Sequence, residues 1–527
     1  MSTRRTFLFA GSAALASVGR VAAAEGFLSA GRPEAFSFER LTREAQSLAA
    51  RPFVTPPSLP AAILDRIDYE ALGKIHFNTD YALFRNGPGQ FPVTFFLLGK
   101  FSRTPVRMFV IEDAGVAREI IYNPAYFDMP PASPARDLPP GAGFAGFRFQ
   151  ESRLGDQTKL DWRKNDWVAF QGASYFRAIG ELYQYGISAR GIAVNVAVPG
   201  VAEEFPAFTR FYFAPDAADT DKATVYALLE GETVTGAYRF QMERTKAVLM
   251  EIDARIFVRK DAHLGLAPLT SMYWFSETEK PMAIDWRPEV HDSDGLAMWA
   301  GNGERIWRPL NNPGTLVTSS FKDTNPKGFG LLQRDRVFTH YLDGVHYERR
   351  PTLWVEPLAD WGEGAVTLVE FPTDDEITDN VVAYWTPRQP SRAGNALRLR
   401  YRLYWNKDEP FPPQMAVCVA TRLGRGGQPG KPRPKGVNKF VVEFLGGPLA
   451  TLPAGRIPEA VLSAPSGHFS DIFTEAVPDG VAGHWRTVFD FTPDGSDPVD
   501  MRLYLRLGQQ TLSETWLYQF RPIKIAA

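Results

Sequence analysis

Alternating apolar and polar residues dominate this chain of 527 amino acids. The alternation is clearest at residues 106–111 (VRMFVI), 208–213 (FTRFYF) and 397–405 (LRLRYRLYW), where β-branched and aromatic residues are frequent. A period of two is typical of β-strands that bury one face. Further short runs of strand-like composition cover residues 93–98, 147–149, 192–198 and 247–258. With 44 glycines and 42 prolines available for the turns between them, these runs predict an all-β protein.

A helical period occurs near the start of the chain. Residues 37–51 place Leu41, Ala45 and Leu48 on one face, and Pro52 follows the segment directly. Apolar residues at this spacing with a proline after them predict one amphipathic helix.

The clearest candidate for a domain boundary is the segment 386–395 (TPRQPSRAGN), which is polar and contains proline and glycine. It lies between the strand-like runs at 381–385 and 397–405. We therefore predict one β domain over residues 25–386 and a second over residues 396–527. Strand signals in the second domain are spaced as in an immunoglobulin-like sandwich.

The first 24 residues have the composition of an export signal. Arg4 and Arg5 are followed by a short, weakly apolar run, and Val-Ala-Ala-Ala precedes Glu25. This order of a basic, an apolar and a small-residue region predicts a twin-arginine signal peptide over residues 1–24. A general secretory signal that happens to contain two arginines is the alternative. Both routes lead beyond the inner membrane.

Charge and cysteine content narrow the class of protein further. The formal net charge is −2, and it becomes more negative once a signal peptide with three arginines and no acid is removed, which argues against nucleic acid or an anionic membrane as main partner. Cys418 is the single cysteine, so the chain forms no internal disulfide. No later apolar run approaches the roughly 20 residues of a membrane span.

Two acidic stretches stand out as candidate chemistry. Residues 287–309 (RPEVHDSDGLAMWAGNGERIWRP) combine carboxylates, arginines and tryptophans, and residues 370–385 (EFPTDDEITDNVVAYW) contain a second group of acids. Because charged side chains are rarely buried without partners, we expect the first stretch to line a cleft that offers proton chemistry beside flat apolar faces. That combination suits a carbohydrate, and the second stretch would supply the other half of a two-carboxylate site.

The usual signatures of cofactors and metals are missing from the sequence. Residues 141–146 (GAGFAG) match the letters of a dinucleotide fingerprint, but they follow two prolines and precede a strand-like run rather than a helix. The seven histidines form no HxH or HExxH pattern, and no GxSxG motif occurs. We therefore predict neither a metal nor a cofactor.

Long blocks spread over the chain resemble a known family. They are GASYFRAIG (172–180), YGISARG (185–191), TGAYRF (235–240), APLTSM (267–272), RPEVHDSDGL (287–296), GNGERIWRPLNNP (301–313), KGFGLLQR (327–334), DNVVAYW (379–385) and LSETW (512–516). Together these blocks resemble the OpgG/OpgD (MdoG/MdoD) proteins of osmoregulated periplasmic glucan biosynthesis. The twin-arginine signal favours the OpgD-like side of that family.

The resemblance implies both a fold and a function. It implies a large N-terminal β-sandwich domain with a cleft, followed by a small immunoglobulin-like domain, in a periplasmic protein. It also implies action on β-1,2-linked glucan, either as an anomer-inverting endo-β-1,2-glucanase or as a related glucan transglycosylase.

Carried over residue by residue, the resemblance implies that Asp379 is the general acid and Asp292 the general base. Glu376 and Tyr347 match positions that line the same cleft. The base resembles one that reaches its water through a relay of hydroxyl and water, so its distance from the acid can exceed the range of about 6.5–9.5 Å usual for inverting enzymes. We expect the carboxylates near Asp379, including Glu376, to raise its pKa by like-charge repulsion.

Trp299, Trp307 and Arg308 are further candidates for substrate binding. Indole rings bury a large flat area and carry a polar N–H, which suits a sugar ring. The arginine either donates to sugar hydroxyls or pairs with an acid, and the sequence leaves both alternatives open.

Two hypotheses of function follow. The first is a periplasmic enzyme that processes β-1,2-glucan with Asp379 and Asp292. The second is a non-catalytic glucan-binding or assembly protein that holds chains for a membrane glucan synthase, because members of one fold can lose activity while keeping a binding cleft.

Overall fold

The computed structural model describes residues 28, 30–56, 58–112, 115–155, 160–216, 220–280, 283–453 and 455–522. The predicted signal peptide over residues 1–24 lies outside the described residues.

The protein is an all-β protein, as predicted, with 45% of residues in strands and 9% in helices. The strands are, in chain order, β1 (Ala30–Ala35), β2 (His76–Phe77), β3 (Val93–Phe96), β4 (Arg107–Ile111), β5 (Val116–Ile120), β6 (Phe127–Asp128), β7 (Gly146–Gln150), β8 (Asp166–Gln171), β9 (Tyr175–Ala178), β10 (Ser188–Arg190), β11 (Ala193–Val194), β12 (Ala207–Phe213), β13 (Lys222–Glu230), β14 (Val234–Arg244), β15 (Val248–Val258), β16 (Leu264–Ser271), β17 (Tyr273–Phe275), β18 (Val290–His291), β19 (Gly295–Trp299), β20 (Arg305–Pro309), β21 (Val317–Thr324), β22 (Gly328–Leu332), β23 (Thr352–Pro357), β24 (Glu363–Glu370), β25 (Val381–Pro387), β26 (Ala396–Asn406), β27 (Val417–Arg425), β28 (Asn438–Leu445), β29 (Glu459–Ser463), β30 (His468–Ala476), β31 (His484–Thr492), β32 (Val499–Leu507), β33 (Gln510–Thr511) and β34 (Thr515–Phe520).

The predicted amphipathic helix is α1 (Phe38–Ala49), which buries Leu41 and Ala45. The hydroxyl of Thr235 on β14 donates to the carbonyl of Ala45 at 2.7 Å, so the helix is fixed against the sheet by a buried hydrogen bond as well as by its apolar face. The other α-helices are single turns: α2 (Ala61–Leu64), α3 (Tyr69–Leu72) and α4 (Phe338–Tyr341). Short 3₁₀ helices lie at Thr79–Tyr81, Pro124–Tyr126, Pro134–Asp137, Tyr347–Arg349 and Gly447–Thr451.

The chain divides into two compact units. The smaller unit comprises the described residues of 1–37, 55–166 and 210–220. In it, β4 pairs antiparallel with β5 and parallel with residues 210–213 of β12, and β3 pairs antiparallel with β7. Its core is aromatic, with the rings of Phe147 and Phe213 meeting edge to face at 4.8 Å, a geometry that aromatic pairs prefer.

The larger unit comprises the described residues of 38–54, 167–209 and 221–527. One of its sheets has the strand order β13-β14-β15-β26-β23-β22-β19-β20-β34-β32-β29, and the other has the order β21-β24-β25-β16-β10-β9-β8. The two sheets pack face to face, because Phe176 on β9 meets Phe240 on β14 at 5.3 Å and Trp405 on β26 at 6.2 Å. This sandwich carries all the residues of the site described below.

A further sheet lies at the C-terminal end of the larger unit. The four-stranded sheet β27-β28-β31-β30 packs on the β34 end of the first sheet, with Phe440 6.2 Å from Trp516 and Phe491 5.7 Å from Phe520. Strand β26, which follows the predicted linker directly, pairs with β15 and β23. The division at residues 386–396 and the immunoglobulin-like assignment therefore stay predictions that limited proteolysis would test.

Candidate active site

The loop from residue 371 to 380 joins β24 to β25 and carries Asp379. Asn380, which is fully buried, fixes this loop. Its side-chain amide donates to the carbonyls of Phe371 at 3.0 Å and Tyr273 at 2.9 Å, and its side-chain oxygen accepts the N–H of Tyr273 at 2.8 Å. Tyr273 pairs with His291, the residue before Asp292. One asparagine therefore ties the loop of the predicted acid to the strand pair that carries the predicted base.

Asp292 is buried, with 8% of its surface exposed. Its backbone N–H donates to the carbonyl of Met272 at 2.8 Å, and Nε of Arg350 lies 3.2 Å from its Oδ1. Burial raises the pKa of Asp292, while the charges of Arg350, His291 and Arg177 oppose the rise. Desolvation thus favours the neutral carboxyl, whereas the guanidinium of Arg350 favours the ionised form that a general base needs.

Asp379 faces a different environment. Solvent reaches its side chain, yet the protein crowds the carboxyl closely enough for desolvation to act. This desolvation, followed by the negative charge of Asp292, raises the pKa of Asp379 to about 6, against the opposing charges of Arg177 and Arg190. The repelling charge comes from Asp292 and not from the neighbouring carboxylates that the sequence led us to expect. The pKa values of both carboxyls are therefore raised, and the guanidinium of Arg350, 3.2 Å from Asp292, is the feature that favours the ionised form of Asp292.

Glu376 and Tyr347 lie together at this site. The phenolic O–H of Tyr347 donates to Glu376 Oε2 at 2.9 Å, and Arg287 Nη1 donates to the same oxygen. Burial and then the hydrogen bond to Glu376 raise the pKa of Tyr347, so the phenol stays protonated. The charge of Glu376 in turn acts on Asp292. The four residues Asp379, Asp292, Glu376 and Tyr347 therefore form one electrostatically coupled group.

Strands β9 and β10 add cationic and aromatic side chains that were not predicted. Tyr175 and Arg177 point to one face of β9, and Arg190 pairs with Tyr175 across the strands. The Arg190 guanidinium lies 4.7 Å from the Tyr175 ring and donates to Glu203 at 2.7 Å. Both arginines act electrostatically on Asp379. Arg177 alternates with the buried Phe176 and Ala178, but Arg190 is itself buried, so the sequence pattern did not single it out.

His291, the residue before the predicted base Asp292, belongs to a buried hydrogen-bonded group. His291 is fully buried, with Nδ1 3.0 Å from Gln333 Oε1 and Nε2 3.0 Å from Glu289 Oε2. Burial alone lowers the pKa of His291, but the hydrogen bond and charge of Glu289 outweigh it and raise the pKa to about 9. As an imidazolium, the ring donates to both oxygens. Nε2 of Gln333 in turn donates to the carbonyl of Tyr347 at 3.1 Å.

Comparison with known proteins gives the family. Residues 36–520 match the family described as periplasmic glucan biosynthesis protein, MdoG. The chain belongs to this family. It is 63% identical over 530 residues to Glucans biosynthesis protein D 2 of Ralstonia nicotianae, covering 99% of this chain and 98% of that protein. It is 45% identical over 497 residues to Glucans biosynthesis protein D of Stenotrophomonas maltophilia, covering 93% and 91%.

Family membership confirms two predictions, the resemblance to OpgD and the periplasmic location. In the described part of the chain, no helix is both long enough and apolar enough to span a bilayer. A solved polysaccharide lyase aligns with 82% of this chain but only 47% of its own, with 10% identity and a TM-score of 0.23, so it carries no argument here.

Trp307, Arg308 and Trp299, the other predicted substrate-binding residues, are engaged by protein groups. Trp307 is 4% exposed and packs in the hydrophobic core that the first sheet of the larger unit shares with the four-stranded sheet β27-β28-β31-β30. Arg308 is 2% exposed and pairs with Glu370 at 3.0 Å. Trp299 is half-buried against the same core, with the Arg305 guanidinium 3.8 Å from its ring. Because neither Trp307 nor Arg308 has an open face and Trp299 is covered by an arginine, we do not retain their predicted role.

One group of described residues has the donor set of a metal site. Ligand atoms of Glu289, Asp335 and His340 lie within 4.8 Å of one another. Each carboxylate already faces a histidine, Glu289 at 3.0 Å from His291 and Asp335 at 2.5 Å from His340. Contacts with these histidines therefore account for this arrangement.

Proposed function

We propose that this protein cleaves or transfers β-1,2-linked glucan by a single displacement that inverts the anomeric carbon. Asp379 is the general acid and Asp292 the general base. The observation that supports this assignment best is the contrast between the two carboxyls. Desolvation and the charge of Asp292 raise the pKa of Asp379 to about 6. Burial also raises the pKa of Asp292, but the Arg350 guanidinium 3.2 Å away favours its ionised form.

The proposed chemistry requires a protonated Asp379 and an ionised Asp292. Asp379 gives its proton to the glycosidic oxygen while the bond from that oxygen to the anomeric carbon breaks. A water, or the hydroxyl of a second glucan chain, attacks the anomeric carbon from the opposite face and passes its proton towards Asp292. The resemblance to the family implies that this proton travels through a hydroxyl and water relay. Water as acceptor gives hydrolysis, and a sugar hydroxyl gives transglycosylation.

The remaining polar groups orient the substrate. Glu376 is the acceptor of two donors, Tyr347 and Arg287, so its carboxylate is held in one position. Arg177 is exposed, which makes it a suitable partner for sugar hydroxyls. Arg190 is 6% exposed and already donates to Glu203 and Thr270, so it acts on the site through its charge. An arrangement held by several partners loses little entropy when substrate binds.

A second candidate function is that of a glucan-binding protein that assists a membrane glucan synthase. The relatives' names, which describe glucan biosynthesis, favour it. The candidate site would then bind the chain without cleaving it.

Product analysis on linear β-1,2-glucan separates the candidates. We expect the wild-type protein to shorten or rearrange the glucan. Asp379→Asn and Asp292→Asn keep the side-chain shape but cannot cycle a proton, so turnover should fall by about 10²–10⁴ while glucan affinity survives. Glucan binding by the wild-type protein without any change in chain length would refute the enzyme and support the assembly role.

A further inference from the structure

Trp286 is an exposed aromatic residue beside the candidate active site, with 69% of its surface open to solvent. Single apolar residues on a surface are common and need no function. What distinguishes Trp286 is the rigidity of the backbone that presents it.

The turn around Trp286 is clamped on both sides. Asp285 accepts the backbone N–H of Arg287 at 2.8 Å, its Nε at 2.9 Å and its Nη2 at 3.0 Å. The ammonium of Lys280 donates to the carbonyl of Asp285 at 2.5 Å and to that of Arg287 at 2.6 Å. The residues before and after Trp286 are therefore fixed by charge-assisted hydrogen bonds, which are the strong ones, while the indole itself is left outside.

The same clamp connects Trp286 to the site. Arg287 is 7% exposed, and its Nη1 donates to Asp343 at 2.7 Å and to Glu376. Glu376 is the acceptor of the Tyr347 hydroxyl. Ile377, the residue after Glu376, is 86% exposed. An aromatic and an aliphatic side chain thus stand open on the two segments that the Arg287–Glu376 ion pair joins.

A rigid, exposed indole is well suited to bind a ring-shaped ligand. Trp presents a large flat face and loses little conformational entropy on binding, and a preorganised backbone lowers that cost further. The Arg287 guanidinium lies 5.8 Å from the ring centroid, and most of the indole surface is open to solvent. The apolar C–H face of a pyranose ring matches that surface, while the neighbouring carboxylate of Glu376 is an acceptor for its hydroxyls.

We propose that Trp286 is a stacking platform for a glucosyl residue of the glucan chain, beside Glu376 of the candidate active site. This inference rests on the proposed function, since it takes glucan as the ligand, but it does not depend on whether the glucan is cleaved. Trp286 binds and positions the chain and takes no part in proton transfer.

The test is glucan affinity in the full chain carrying Asp379→Asn, in which the substrate stays intact. With linear β-1,2-glucan as probe and calorimetry as readout, adding Trp286→Ala should raise Kd by about tenfold, since truncating a tryptophan anchor costs at least a factor of this order. Trp286→Tyr should recover most of the affinity because it keeps a flat ring. Tyr69→Ala is the matched control, because Tyr69 is 84% exposed and lies outside the site, and it should leave Kd unchanged.

The outcomes distinguish the claims. An unchanged Kd for Trp286→Ala would overturn the platform, as would an equal loss in Trp286→Ala and Trp286→Tyr with unchanged thermal unfolding, because a ring would then not be what binds. Wild-type turnover that Asp379→Asn fails to reduce would instead overturn the catalytic assignment, and an unchanged KM of Trp286→Ala relative to wild type would then overturn the platform. Absence of any β-1,2-glucan binding by the wild-type protein would overturn both.

Discussion

The buried pair of Arg308 and Glu370 gives the most quantitative prediction. Their side chains are 2% and 1% exposed, and Nη2 of the arginine lies 3.0 Å from Oε2 of the glutamate. The backbone N–H of Asn311 donates to the other carboxylate oxygen at 2.7 Å. The change is Arg308→Met, which keeps the length of the side chain and leaves a buried carboxylate without its cation.

The expected cost follows from that burial. Removing one partner of a fully buried ion pair costs about 3–5 kcal/mol of unfolding free energy, because the remaining charge stays desolvated. The cost should depend on pH. Burial already raises the pKa of Glu370, and Arg308 opposes the rise, so the variant raises it further in the folded state. The folded variant then binds the extra proton more tightly than the unfolded chain does. Its stability is retained below the unfolded pKa and falls as pH rises through the folded pKa, by at most about 1.4 kcal/mol per pH unit.

Urea unfolding followed by tryptophan fluorescence, at acidic and at neutral pH, measures this cost. Arg308→Met combined with Glu370→Gln should regain most of the stability, because no charge is left buried and the amide still accepts from Asn311. Arg388→Met, which removes the exposed Arg388–Glu363 pair, should leave the midpoint unchanged. A variant Arg308→Met with wild-type stability and lost glucan binding would refute the structural role and restore the substrate-binding prediction.

Three further predictions concern charge. The kcat/KM of the wild-type protein should fall as pH rises above about 6, because Asp379 must hold its proton to act as acid; a flat profile through this region would contradict the assignment. Arg350→Met removes a charge that lowers the pKa of Asp292, so the acidic limb of the same profile should move to higher pH, and an unmoved limb would mean that the pair does not tune the base. Burial raises the pKa of the Cys418 thiol, so the native protein should react with a thiol reagent only after unfolding, and fast labelling of the native protein would contradict that burial.

The strands and the main helix were predictable because they bury one face. The run at residues 397–405 became β26 (Ala396–Asn406), and the segment 37–51 became α1 (Phe38–Ala49). The run at 192–198 was a poorer prediction, since β11 ends at Val194. Asn195 and Ala197 have φ of 57° and 54°, in the left-handed region that side chains rarely adopt. Hydrophobicity carries no information about the sign of φ.

The charged stretch at residues 287–309 was expected to line a cleft, and the structure buries much of it. Arg305 pairs with Glu409 at 2.6 Å and Arg308 with Glu370 at 3.0 Å. Each partner lies far away in sequence, so composition alone could not show that these charges were neutralised. The rule that charged residues stay outside fails where the fold supplies a counter-ion.

The two candidate catalytic acids were reached through the family resemblance rather than through pattern. Asp379 follows four other carboxylates on residues 370–376, and local sequence cannot choose among them. The structure separates Asp379 from the others by the charge of Asp292, which is 87 residues away in the chain. The supporting residues Arg177 and Arg190 needed the strand register of β9 and β10, which only the fold provides.

The stereochemistry of the first product tests the central claim most directly. Proton NMR during the first minutes of wild-type turnover on linear β-1,2-glucan, before the anomers equilibrate, shows which reducing-end anomer is released. A single displacement by Asp379 and Asp292 predicts the α-anomer from a β-linkage. Initial release of the β-anomer would contradict the account, because it would require a covalent intermediate and a nucleophile in place of the proposed base.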